Sequence, residues 1–157
     1  MAEQQMLNQL RCHQQLINDL GAAAHLTNPT TQSSRIIEIA EDLGWLDRES
    51  HAYGDLLALK SINAVMLTWY RNNILHLLAL PSLIACLLVN RRRGVKTGQL
   101  QQSIALIFPY IAQELSAWVP GTTDSVLDSM ARLDLIRRED GVILPATQQS
   151  EHRMQLV

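Results

Sequence analysis

Apolar residues recur along this chain at helical spacing over most of its length and change to a strand-like pattern near the end. Met6, Leu7, Leu10, Ile17 and Leu20 share one face of a predicted helix whose other face carries glutamines, and Gly21 is placed to stop it. Residues 27–34, TNPTTQSS, read as a turn-rich loop. Ser33 or Ser34 can cap a helix through Leu43 in which Ile36, Ile37, Ile39 and Ala40 are apolar, with Gly44 closing it. Trp45 to Gly54 reads as a linker, and Asp55 as the cap of a long helix reaching about Leu80. Pro81 has no N–H to donate, so it should end that helix, kink it or start the next. Thr97 is the expected cap of a helix through Trp118, bent or divided at Pro109, and Pro120-Gly121 is a turn. A short helix from about Asp124 to Leu133 leads into Leu135–Arg138, Asp140-Gly141 and Val142–Leu144. Asp-Gly between two apolar runs predicts a β-hairpin. The sequence shows no internal repeat.

These elements predict a mainly α fold. Residues 1–118 form a helical bundle region, with N-terminal helices over 1–44, a long helix over about 55–80 and further helices over 81–118. Residues 119–157 form a helix-and-hairpin end like that of a winged helix. Composition agrees: 47% of the 157 residues are hydrophobic and only 4% aromatic, a balance that favours helices over a β-sandwich. Cys12 and Cys86 are far apart and form no C-x-x-C, so neither a disulfide framework nor a zinc knuckle is expected, and a reducing compartment is the default. No metal or cofactor is expected: the histidines 13, 25, 51, 76 and 152 show no metal-binding spacing.

The net charge of −2 conceals an asymmetry. No acidic residue occurs from Ser61 to Tyr110, whereas Arg71, Arg91, Arg92, Arg93 and Lys96 all lie there. The overall balance argues against a general nucleic-acid binder. The short helix of the winged-helix-like end sets Asp124 and Asp128 against Arg132, so phosphate would be repelled there, and no nucleic-acid partner is expected. The best apolar run, Ile74 to Val89, is shorter than the roughly 20 residues of a membrane span and is broken by His76, Pro81 and Ser82. It reads as buried or interfacial. The N-terminus has no charged start followed by an apolar core, so no signal peptide is expected.

Two polar groups are candidates for function. Tyr70, Arg71, Asn72, Asn73 and His76 interrupt the apolar helix. Asn72 and Asn73 each share a face with His76. The favoured reading is a buried polar network that fixes helix packing, because unpaired burial costs about 1–3 kcal/mol per group. The competing reading is a contact to an anionic ligand or an adjoining domain through Arg71. Arg91, Arg92, Arg93 and Lys96 are either a solvated helix end or contacts to anionic lipid, each worth about 1 kcal/mol at such a surface.

The string from Ala64 to Ala85, AVMLTWYRNNILHLLALPSLIA, resembles a segment in the C-terminal half of the membrane-bound bacterial glycerol-3-phosphate acyltransferases of the PlsB type. The likeness continues through the arginines, Leu100, Pro109-Tyr110, Glu114-Leu115, the LIRREDGVIL hairpin and LPATQQSEHRMQLV. It is good from about Ser61 onward and weak before Asp55. It implies acyl transfer from acyl-carrier protein or acyl-CoA to the 1-hydroxyl of glycerol 3-phosphate, the first step of phospholipid synthesis, peripheral to the cytoplasmic face of the cell membrane. The family's catalytic signature is His-x4-Asp, whose histidine is the general base. Five residues after each histidine here stand Asn18, Thr30, Leu56, Pro81 and Val157, never aspartate. The chain is therefore expected to be a piece of a longer enzyme, inactive alone, whose partner is the remainder of the acyltransferase and, in a further reading, an anionic membrane surface. Its expected role is to support the acyltransferase domain. Two alternatives stand beside this: a small helical interaction or membrane-surface protein, and a winged-helix DNA binder.

Overall fold

The computed structural model describes residues 1–20, 32–89, 91, 93–117 and 121–146. Along the chain run α1 (Glu3–Asp19), α2 (Ser33–Asp42), β1 (Leu46–Glu49), β2 (Leu56–Leu59), α3 (Ser61–Leu88), β3 (Val95–Lys96), α4 (Thr97–Leu115), α5 (Thr123–Arg132), β4 (Ile136–Glu139) and β5 (Val142–Pro145). The molecule is mainly α with two small antiparallel sheets, as the apolar periodicity predicts. The expected stop at Gly21, most of the 27–34 loop, Asn90, Trp118 and Pro120 lie outside the described residues.

Several boundaries differ from expectation. Residues 45–54 are no linker: β1 and β2 pair from Leu46↔Leu59 to Glu49↔Leu56. The long helix consequently starts at Ser61, not at Asp55. It also passes through Pro81 and ends at Leu88. Proline in a helix interior costs about 3 kcal/mol. Around it, however, Leu77, Leu78, Leu80, Leu83, Ile84 and Leu88 are all buried, and each buried leucine is worth about 1.5–3 kcal/mol. Packing holds the helix together where local propensity would break it. Pro109 likewise lies inside α4.

The caps also shift. Gln32 precedes α2, and the buried Ser33 hydroxyl donates 2.8 Å to Gln14 Oε1, tying α2 to α1. Thr97 is the first residue of α4 and donates 3.0 Å to the Gly141 carbonyl. Thr122 caps α5, in a reciprocal pair with Ser125. The predicted hairpin is present: Asp140 (φ 47°) and Gly141 (φ 76°) join β4 to β5 with Glu139 opposite Val142.

The structure reveals a repeat that the residues conceal. The α2–β1–β2 run and the α5–β4–β5 run share one plan, with helices of 10 residues and strands of 4 residues in each. The helices end on matching bonds. Leu43, Gly44 and Trp45 N–H groups donate to the carbonyls of Ile39, Glu41 and Ala40, while Leu133, Asp134 and Leu135 donate to Ser129, Ala131 and Met130. Gly44 (φ 66°) and Asp134 (φ 54°) both take the left-handed conformation that such an end requires. Each hairpin is met by the residues just before a helix: β3 pairs with β5 as a third strand, and Ala2 makes a single bridge to Leu56. The Glu3 N–H accordingly donates to Asp55 O, as Thr97 N–H does to Gly141 O. The second copy, taken with α3, has the order helix–strand–helix–helix–strand–strand and a β3-β5-β4 sheet, the topology of a winged helix. The first copy lacks a counterpart of α3 among the described residues.

One apolar cluster lies on both sides of residue 118. It joins Leu16 of α1 and Leu20 just after it to the C-terminal half of α3, Leu100 and Ile104 of α4, Val126 and Met130 of α5, and Ile136 and Ile143 of the sheet.

Candidate functional site

α3 divides into two unlike halves. From Leu77 onward it is core. Before that, Ile62 is 85% exposed, Val65 80% and Trp69 63%, with Met66, Tyr70 and Ile74 also exposed. Ile62, Val65, Met66 and Trp69 are spaced three or four apart, so they form one face of the helix. α4 adds Leu106, Ile107 and Tyr110, also exposed. Scattered surface leucines need no explanation, but an apolar stripe along one helix face offers area that a partner can bury.

Tyr70, Arg71, Asn72 and Asn73 belong to this exposed half. The buried network expected of them is absent. The four residues are exposed, and among the described residues Arg71 Nη2 lies 3.5 Å from Asn72 Oδ1. His76 is half-buried, at the boundary between the two halves. The reason is the length of α3: at about 1.5 Å per residue its N-terminal half extends past the elements that cover its C-terminal half. Trp45 anchors this end. Its ring stacks on Tyr70 at 6.3 Å, and Tyr70 meets Trp69 edge-on at 5.3 Å. Asn63 Nδ2 donates 2.9 Å to the Gly44 carbonyl. Trp45 was unread as part of this site; its place beside Tyr70 depends on the β1–β2 hairpin.

Arg91, Arg93 and Lys96 are exposed at the other end of α3, and Arg92 lies outside the described residues. From Arg71 to Leu88 the axis runs roughly 25 Å, so the arginine cluster and the Tyr70–His76 group are separate places, not one site.

A further charged group escaped the sequence reading. Arg48 on β1 donates to Glu41 at 2.7 Å, Glu3 at 2.8 Å and Asp55 at 2.8 Å. It thereby fastens α1, α2 and the β1–β2 hairpin together. Hydrogen bonding to Arg48 holds the Glu3 and Asp55 carboxyls below the usual carboxylate range and raises the guanidinium. Every member is already bonded within the cluster, which makes it a clasp, with no group left to act as acid or base. Among the described residues no set of His, Cys, Asp and Glu could hold a metal ion. A depression of about 300 Å³ lies between α1 and α5, but its Arg132 is bound to Asp19 at 3.1 Å.

By length and composition α3 could cross a membrane, although half of the apolar stretch is buried in the fold. No solved structure matches this one. The model of the glycerol-3-phosphate acyltransferase C-terminal region matches residues 1–157, which carries the likeness read from Ser61 onward back to the first residue, and the chain belongs to that family.

Proposed function

We propose that this chain is the non-catalytic part of a glycerol-3-phosphate 1-O-acyltransferase and that it supports the acyltransferase domain by docking through the exposed half of α3. The observation that carries this reading is the apolar face of Ile62, Val65, Met66 and Trp69, with the exposed Asn72 and Asn73 three and four residues beyond Trp69 on the same side. Such a surface offers apolar area for a partner to bury, and polar groups at its edge to set the orientation. No histidine has the aspartate that the acyl-transfer signature needs, and no described carboxylate or imidazole is set up as a general base.

The test has two parts. Pure chain supplied with acyl-CoA and glycerol 3-phosphate forms no lysophosphatidate; turnover would overthrow the non-catalytic reading. An intact acyltransferase that carries this region loses at least tenfold of its activity on Val65→Glu with Trp69→Glu, while the isolated variant chain keeps its helix content. Unchanged activity would count against the docking face.

A second reading has its own support: the acid-free stretch from Ser61 to Tyr110 combined with exposed Trp69, Leu106 and Tyr110. Apolar burial and charge attraction would act together at an anionic membrane. Flotation with anionic but not neutral vesicles, lost at high salt and on changing Arg91, Arg92 and Arg93 to Gln, is the expected result. Binding of DNA has no comparable support: α2 and α5 carry Glu38, Glu41, Asp42, Asp124 and Asp128 against Arg35 and Arg132.

A further inference from the structure

The repeat exposes an inequality. In the second copy, Leu100 and Ile104, the fourth and eighth residues of α4, are 0% and 4% exposed, and Val126 and Met130, at the same places in α5, are 0% exposed. In the first copy the corresponding residues are Met6 and Leu10 of α1 and Ile36 and Ala40 of α2, and all four are only half-buried. The chemistry is apolar at every one of these places. What differs is cover. In the second copy, the C-terminal half of α3 lies on α4 and α5 and adds Leu80, Leu83, Ile84 and Leu88 to their core. The first copy has α1, α2 and the hairpin, with no helix in the place of α3 among the described residues. The N-terminal half of α3 meets the first copy at its hairpin end, through Gly44 and Trp45.

We infer that the open face of the first copy, made by Met6, Leu10, Ile36 and Ala40, is the seat of an apolar helix supplied by the acyltransferase portion, held as α3 is held in the second copy. The repeat specifies the occupant: a helix with a leucine-rich face, crossing α1 and α2 in the orientation that α3 takes on α4 and α5. This rests on the proposed attachment to the acyltransferase domain, but it names a second contact, apart from the exposed half of α3. The two differ in kind. One is the outer face of a helix, and the other is an incompletely filled core, which a partner helix would complete.

Cysteine footprinting separates them. In a background with Cys12→Ala and Cys86→Ser, single Leu10→Cys, Ala40→Cys and Val65→Cys substitutions are labelled with a maleimide, first in this chain and then in an intact acyltransferase carrying it. The expected result is a fall of at least tenfold in labelling rate at Leu10→Cys and Ala40→Cys in the intact enzyme. Protection at Val65→Cys alone, with the other two unchanged, would overturn this inference and leave the proposed docking face standing. Protection at Leu10→Cys and Ala40→Cys alone would support the inference and remove the docking face. Equal protection of the isolated chain by vesicles of anionic lipid would also overturn it, since a membrane would then be the occupant.

Discussion

Arg48 and Gly94 show how single side chains set the geometry on which the larger surfaces depend. The Arg48 side chain is 32% exposed and that of Glu3 33%, so the clasp is partly open to water and screened by it. Glu3 and Asp55 have carboxyl groups depressed by Arg48. A depressed group stabilises the fold fully above its unfolded value, near 4, and loses that contribution as pH falls through the folded value. Arg48→Gln should therefore lower the urea midpoint at pH 7, and the gap to the parent protein should narrow as pH falls below about 4. A gap that stays constant through that fall would show that Arg48 acts by packing alone. Gly94 is constrained sterically. Its φ is +72°, and a Cβ there would meet Val142 Cγ1 at 2.6 Å and the Ile143 carbonyl at 2.7 Å. Gly94→Ala should cost more than about 1 kcal/mol in equilibrium unfolding, through backbone strain and the displaced β5 strand. A neutral Gly94→Ala would mean that the turn into β3 can shift freely.

At the scale of elements, the helical periodicity was legible because it is long and repeated. The existence of α1 and α2, the hairpin at Asp140-Gly141 and the winged-helix-like end follow from spacing and turn chemistry, but the buried residue of α1 is Leu16, outside the expected face, and Ile39 of α2 is exposed. Short elements were not legible. β3 has only 2 residues, and Leu56–Leu59 carries no alternation of apolar and polar residues to mark a strand. The repeat escaped notice for a related reason. Leu43–Glu49, LGWLDRE, and Leu133–Glu139, LDLIRRE, agree at only three positions. The common feature is a backbone conformation, which glycine supplies in one copy and aspartate in the other. The Tyr70–His76 group was misjudged on burial, since a helix running beyond its supports looks no different in sequence from one that is covered throughout. The unequal cores of the two copies yield a prediction at this scale. Ile104→Ala, at a filled position, should cost about 2–5 kcal/mol. Leu10→Ala, at the matching open position, should cost less than half as much in this chain. Equal losses would show that the first copy is already closed.

As a whole molecule, the chain joins two copies of one module by a helix that is core at one end and surface at the other. The chain belongs to the glycerol-3-phosphate acyltransferase C-terminal region, and on the proposed reading α3 serves to attach it to the acyltransferase portion. The exposed aromatic and aliphatic face, edged by Asn72 and Asn73, has the composition of an interface centre with a polar edge. Charged substitutions there should affect binding far more than folding, because the same positions face solvent in the isolated chain. The most direct measurement is capture of a separately produced acyltransferase portion by this chain, compared between the parent sequence and Val65→Glu with Trp69→Glu. Retention by the parent chain, with at least tenfold weaker retention by the folded variant, is the predicted result; equal retention by both, or none by either, would contradict it.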